Sequence, residues 1–236
     1  MQVLVGTSGY SYKEWKGSFY PPDLKAEAML RYYAERLPTV EINNTFYRVP
    51  DAHLLTRWAE QVPDGFVFVL KAPRRITHER RLSAESVEAV DYFLKAASVL
   101  GDRLGPILFQ LPPNLKSDVP RLRHFLELLP ADRPAAFEFR HESWFGDEVY
   151  ETLRRKGAVL CAADTDESGE EGVPVVPTGS WGYLRLRRAD YDDGALSAWV
   201  DRIRAQPWNR AFVFFKHEDA GKGPALAARL RARLSA

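Results

Sequence analysis

The chain has 236 residues, 45% hydrophobic and 28% charged, with a single cysteine; this much apolar material supports a sizeable core and excludes disordered, collagen-like and disulfide-stapled proteins. The 33 Lys and Arg residues against 32 Asp and Glu leave a formal net charge of +1, which excludes a globally basic nucleic-acid or membrane binder while leaving room for a local basic patch. No run approaches the ~20 apolar residues of a membrane span. Met1-Gln2 leads directly into Val3-Leu4-Val5 without a charged leader, and the lone Cys161 fits a reducing compartment, so a cytoplasmic protein with no membrane partner is expected.

Short β-rich runs recur at 3–6, 40–43, 66–71, 107–111, 135–140, 158–162, 181–186 and 212–215. They start about 23 to 41 residues apart, the length that a strand, a crossover helix and two loops require. Helical periodicity fills most of the gaps. Leu30, Tyr33, Ala34 and Leu37 recur at i, i+3, i+4 and i+7 after the first run. Asp51, following Pro50, is an N-cap candidate for a helix carrying Leu54, Leu55 and Trp58. Val87, Val90, Leu94 and Ala97 mark what should be the longest helix. Leu122, Phe125, Leu126 and Leu129 follow, then Leu196, Trp199, Val200 and Ile203, and finally Leu226, Leu230 and Leu234. Residues 164–180 read instead as a Gly/Pro/acidic loop, which makes the helix after the sixth strand the candidate for a missing one. Eight strands alternating with helices predict an α/β protein with a TIM-type (β/α)8 barrel, typically ~250 residues; an open doubly wound sheet is the competitor. No linker-like stretch divides the chain, so one domain over 1–236 is expected.

Side chains alternate along a strand between the barrel interior and the helices. Phe137 and Phe139 share one face while Glu138 and Arg140 share the other, and Val40 and Ile42 oppose Glu41 and Asn43. Lys71 ends the third run, Gln110 ends the fourth, and Arg185 and Arg187 alternate with Leu184 and Leu186 in the seventh. Polar residues therefore fall late in the strands, at the end where barrel active sites are built. Glu41, Glu138 and Asp164 are opposed by Lys71, Arg140, Arg185 and Arg187, and Arg74, Arg75, Arg80 and Arg81 surround His78 in the loop after the third strand. A basic mouth on a neutral protein suits an anion, because guanidinium forks match phosphate and carboxylate geometry. The competing reading is a salt-bridge layer that only plugs the barrel. Aromatics in the adjoining loops, among them Tyr10, Trp15, Phe46, Tyr47, Trp144 and Phe145, are either stacking platforms for bases and sugar rings or lid packing.

Other motifs give little. Gly6-Thr7-Ser8-Gly9 is a tight turn without a dinucleotide or Walker signature. Asp164-Thr165-Asp166-Glu167-Ser168-Gly169 imitates the start of a calcium loop, but its twelfth position is Val175. A metal would need Glu41, His78, Glu138, Asp164 or His217 to converge, against competition from Lys71 and Arg140; neither a metal nor a cofactor is assigned. A Ser8–His78–Asp164 triad lacks a nucleophile elbow. Lys71 or Lys216 is a Schiff-base candidate only if burial or neighbouring charge depresses its pKa. Cys161, mid-strand, reads as an inert core residue.

The ordered blocks Gly6-Thr7-Ser8-Gly9-Tyr10, Val40-Glu41-Ile42-Asn43 with Thr45-Phe46-Tyr47, Lys71-Ala72-Pro73 with Thr77-His78, Leu108-Phe109-Gln110-Leu111-Pro112-Pro113, Glu138-Phe139-Arg140-His141 with Trp144, Asp164, and Arg185-Leu186 resemble the YecE-like family, a domain of unknown function. The resemblance runs through nearly the whole chain and implies a TIM-type barrel with a candidate site but no established reaction. Two departures stand out: Arg187-Arg188 where the family usually has His-Gly, and Phe215-Lys216-His217 where it usually has Phe-Asn-Asn. Both add basic groups near the expected mouth.

The sequence thus points to a barrel that binds or hydrolyses an anionic ligand, a phosphate ester or nucleic-acid fragment, at its C-terminal mouth. In this reading Arg140 and Arg185 hold the anion with Lys71 assisting, Glu138 or Glu41 acts as general base, and His78 acts as proton donor or anion contact. Tyr10, Asn43, Gln110, Trp144 and Asp164 are the further contacts expected. The alternatives are a non-catalytic nucleic-acid or partner-binding barrel and a metal-dependent, phosphodiesterase-like hydrolase.

Overall fold

Strands buried on both faces read as near-continuous apolar runs, and the eight runs found in the sequence become eight parallel strands in a computed structural model that describes residues 1–168 and 174–235. These are β1 (Gln2–Ser8), β2 (Thr39–Ile42), β3 (Val67–Lys71), β4 (Leu104–Gln110), β5 (Ala135–Glu138), β6 (Val159–Asp164), β7 (Trp181–Leu186) and β8 (Arg210–Phe215). They pair in sequence order, and β1 returns to β8 through six register pairs, from Gln2↔Arg210 to Thr7↔Phe215. The barrel is closed, as the TIM-type expectation requires.

Alternation divides each strand between two cores. Leu4, Val69, Leu108, Cys161, Tyr183 and Phe212 belong to the cluster inside the barrel. Val5, Val40, Phe68, Phe137, Leu160 and Leu184 face outward into the larger cluster shared with the helices. Cys161 lies in the inner cluster as a buried free thiol.

The outer layer holds α1 (Met29–Ala34), α2 (Ala52–Gln61), α3 (Val87–Ala97), α4 (Val119–Leu128), α5 (Asp147–Lys156), α6 (Asp193–Arg204) and α7 (Lys222–Ser235). Asp51 caps α2 as expected, its Oδ1 accepting from the Leu54 N–H at 2.8 Å. Asp118 and Asp192 do the same for α4 and α6. Such caps contribute about 1 kcal/mol each. The longest helix is α7, with 14 residues, rather than α3, with 11. Beyond Ala97 the chain tightens into a 3-10 segment, Ser98–Arg103, broken at Gly101 with φ 54. Between β6 and β7 the described residues hold a 3-10 turn, Asp166–Ser168, and no α-helix. The middle of the stretch read as a Gly/Pro/acidic loop, including Gly169 of the calcium-like sequence, lies outside the described residues. Beyond it, the Thr178 hydroxyl accepts from the Leu160 N–H at 2.8 Å and donates to the Ala158 carbonyl at 3.0 Å, tying this segment along β6.

Candidate functional site

Inward-facing residues at the C-terminal ends of the strands form a charged layer above the apolar barrel core. Glu41 on β2 and Glu138 on β5 are both fully buried, and the Arg185 guanidinium from β7 bridges them, with Nη2 2.8 Å from Glu41 Oε1 and Nη1 2.5 Å from Glu138 Oε2. Glu41 also accepts from the Ser8 hydroxyl at 2.6 Å and the Tyr183 hydroxyl at 2.6 Å. Glu138 Oε1 accepts from Gln110 Nε2 at 2.9 Å, Arg187 Nη2 at 3.1 Å and Arg140 Nε at 3.2 Å. On the far side of Gln110, Lys71 Nζ donates to Oε1 at 2.7 Å and lies over the face of Phe46, 4.1 Å from the ring centroid. One continuous chain of hydrogen bonds thus runs from Ser8 on β1 to Lys71 on β3 by way of β2, β7, β5 and β4.

Two buried carboxylates here pair with three guanidinium groups, with Lys71 nearby but unpaired with either, and the electrostatics follow from that imbalance. Burial alone would raise the Glu138 pKa, but the charges of Arg185, Arg187 and Arg140 hold it well below the usual carboxylate range. Burial likewise opposes the Arg185 charge, yet Glu41 and Glu138 keep its pKa raised. Lys71 has no carboxylate within 4 Å of Nζ among the described residues; burial, reinforced by the Arg185 charge, lowers its pKa to about 8. His78 is lowered to about 4 by burial and then by Lys71 and Arg140.

A cleft of about 680 Å³ opens beside this layer, lined among others by Glu138, Arg140, Phe145, Asp166, Glu167 and Arg187. Arg140 and Arg187 each spend one N–H on Glu138, and the buried Nε of Arg187 has no partner. A guanidinium carries five donors, so both residues, which line the cleft, keep donors that Glu138 does not use.

Several sequence expectations change position. Arg185, expected to hold an anion, is 2% exposed with both Nη atoms committed to carboxylates, so it braces the layer, and it is Arg187 that lines the cleft. Glu138 remains a carboxylate far into acid, which makes it a counter-ion and a weak base. His78 is neutral at pH 7 and contacts Thr77 Oγ1 through Nδ1 at 2.9 Å and Phe46 edge-on; it has no imidazolium proton to donate. Asp164 shares the outward parity of Leu160 and Ala162 and pairs with Arg188 Nε and the Tyr191 hydroxyl, both at 2.9 Å, outside the layer. Trp144 is 1% exposed, stacked 4.4 Å from Phe139 and bonded through Nε1 to the Leu115 carbonyl at 2.7 Å; it packs the shell, and the neighbouring Phe145 reaches the cleft instead. Tyr10 and Asn43 line a separate cleft of about 110 Å³ with Trp58. Glu41, Lys71, Gln110, Glu138, Arg140 and Arg185 do come together. Ser8, Tyr183 and Arg187 are the members that the sequence reading left out of its site, although their strand parity was legible.

At the two departures from the family pattern, Arg187 enters the cleft, Arg188 pairs with Asp164, His217 Nε2 lies 2.5 Å from the Arg188 carbonyl and Lys216 is exposed. Among the described residues no three His, Cys, Asp or Glu side chains gather as metal ligands, and Arg185 occupies the space between Glu41 and Glu138. No helix among the described residues is long and apolar enough to cross a membrane.

A closed parallel barrel with its polar layer under the C-terminal mouth defines a TIM-type barrel protein. The sequence model of the family described as "Protein of unknown function DUF72" matches residues 4–236, and the chain belongs to that family. Its curated relatives include the UPF0759 protein YunF of Bacillus subtilis (strain 168), 29% identical over an alignment of 186 residues that covers 74% of this chain and 64% of YunF. The UPF0759 protein YecE of Escherichia coli (strain K12) is 36% identical over 155 residues, 65% of this chain and 54% of YecE. The matched stretch therefore spans less than two thirds of either relative. A DUF72 family protein of Thermotoga maritima MSB8, known from a crystal structure, superposes with a TM-score of 0.87 at 27% identity, covering 100% of both chains. A DUF72 family protein of Enterococcus faecalis V583 gives 0.80 at 19% identity, covering 100% of this chain and 96% of its own, and shares the fold.

Proposed function

We propose that the barrel mouth binds a small anion or the phosphate of a larger ester, with Arg140 and Arg187 as the primary contacts and Lys71 adding charge from below. The supporting observation is the ratio of cations to carboxylates inside the layer: among the described residues Arg140, Arg185 and Arg187 pair with only Glu41 and Glu138 and Lys71 with neither, although Asp166 and Glu167 also line the cleft, and the two guanidinium groups at the cleft have donors left over. Lys71 and Arg187 are partly buried, and charge there opposes folding unless a counter-ion compensates it. A bound phosphate would complete the balance through charge-assisted forks.

Phosphate, a panel of phosphate monoesters and short oligonucleotides should each be tested by thermal shift and calorimetry. At 100 times its Kd a ligand stabilises the fold by about 2.7 kcal/mol, so at least one should raise Tm by several degrees. Arg140→Ala and Arg187→Ala should each abolish the rise while unfolding cooperatively. No response to any of them at millimolar concentration overturns the proposal.

An oligonucleotide is the favoured larger ligand, because Phe145 is 42% exposed at the cleft and offers a ring for a base to stack on. Metal-dependent hydrolysis is the weaker reading, since the carboxylates are already committed to arginine.

A further inference from the structure

Each buried arginine of the layer reaches a carboxylate; the lysine does not. Nζ of Lys71 donates to the neutral amide oxygen of Gln110 at 2.7 Å and otherwise faces the Phe46 ring. Gln110 cannot turn to offer its amide nitrogen instead, because Nε2 is held by Glu138 at 2.9 Å. The backbone is held as firmly, with the Thr45 hydroxyl donating to the Lys71 carbonyl at 2.6 Å. The result is a half-buried primary amine in a fixed position, close enough to Arg140, a residue of the cleft, to be influenced by its charge. The charged groups around it are Arg185 on β7, Glu138 and Arg140 on and after β5, Glu41 on β2 and the neutral His78 in the loop that follows β3. The amide oxygen and the ring face suit the charged form, but with no carboxylate counter-ion and with guanidinium groups nearby that form is held less firmly than in an ordinary lysine, which leaves the amine available as a nucleophile.

We propose that the Lys71 amine forms an imine with the carbonyl carbon of a phosphorylated aldehyde or ketone whose phosphate is held by Arg140 and Arg187. This rests on the anion-binding reading and names its substrate class. The nitrogen lone pair attacks the carbonyl carbon, and the carbonyl π pair moves onto oxygen. That oxygen gains a proton as the nitrogen loses one, giving a carbinolamine. The hydroxyl then leaves with a further proton as water, and the C=N bond forms in its place. No oxidant or reductant takes part. The depressed pKa of Lys71, about 8, supplies free amine near neutrality, where an ordinary lysine supplies almost none.

The full-length chain should be incubated with glycolaldehyde phosphate or, in parallel, with glycolaldehyde, reduced with sodium borohydride and mapped by peptide mass spectrometry. With glycolaldehyde phosphate the reduced adduct should fall on Lys71 at concentrations about tenfold below those needed for glycolaldehyde, the size of one charge-assisted contact. The labelling rate should rise with pH about a midpoint near 8, and Lys71→Arg should lose the adduct. Arg140→Ala or Arg187→Ala should abolish the preference for the phosphorylated probe yet leave Lys71 reactive toward glycolaldehyde. Label spread over exposed lysines such as Lys13 and Lys95, with Lys71 no faster than they are, overturns the imine proposal even if phosphate binds. Selective labelling of Lys71 by both probes at equal concentrations supports the reactive amine and removes its link to the anion site.

Discussion

At the scale of single residues the layer is governed by Glu138, which carries the contacts of three guanidinium groups and an amide. Glu138→Gln leaves Arg185 and Arg187 with buried charge and no counter-ion at that end, and should cost about 3–5 kcal/mol of unfolding free energy in urea titrations. Trp144→Ala should cost a similar amount, about 3–5 kcal/mol, by opening a cavity against Phe139, while leaving phosphate affinity unchanged; a lost affinity would restore Trp144 to the binding site. His78 sets a pH dependence. Its pKa falls from 6.5 to about 4 on folding, so the unfolded chain binds the extra proton between these values. Its contribution to stability is full above pH 6.5 and is lost as the pH falls toward 4. His78→Asn should flatten that part of the stability–pH curve. Glu41, Lys71, Glu138 and Arg185 were legible in the sequence because apolar neighbours fix their parity. The bridging of two carboxylates by one arginine was not, because it depends on three strands distant in sequence meeting across the barrel.

Among the elements, the seam between β1 and β2 is held by little sheet pairing, with register pairs only at Thr7↔Val40 and Ser8↔Glu41. A cross-brace from α1 compensates. The buried Tyr33 hydroxyl accepts from the Thr7 N–H and donates to the Thr39 carbonyl, both at 2.9 Å. Gly6 permits this approach, since a Cβ there would lie 2.0 Å from the Thr39 carbonyl oxygen. Tyr33→Phe strands both backbone groups and should cost about 1–3 kcal/mol, with faster amide exchange at Thr7 as the local readout. The helices with regular apolar spacing were legible, as was the Asp51 cap. No apolar run announces α5, whose signals are instead Asp147 and Glu148 in its first turn, basic residues in its last, and Gly157 at φ 69. The π-turn at Arg75–Glu79, followed by Arg81 and Leu82 at positive φ, has no signature in local sequence. It is imposed by the burial of Ile76, Thr77 and Leu82 around it.

For the molecule as a whole, a net charge of +1 gives no strong long-range field, so the proposed anion binding rests on the local charges of the mouth. If Arg140, Arg187 and Lys71 are the groups that meet an oligonucleotide, the slope of log K against log salt should be about −2, given about −0.7 per phosphate contact on a single strand. A slope several times steeper would show that a wider surface takes part. The eightfold repeat was readable because each parallel strand is apolar on both faces, and closure was readable only as the better of two sheet topologies.

The bridge between Arg185 and Glu41 joins residues 144 positions apart, and that from Tyr183 to Glu41 joins residues 142 apart. Neither forms until the chain's two halves have curled into a ring, so nascent chains carry these carboxylates and guanidinium groups fully hydrated. We predict that their desolvation falls on the downhill side of the folding barrier. In stopped-flow chevrons Glu41→Gln should therefore steepen the escape from the native state while the refolding arm stays where it was. With that outcome the ionic bracing at the mouth is a latch, setting how long the finished ring survives rather than how quickly it is made.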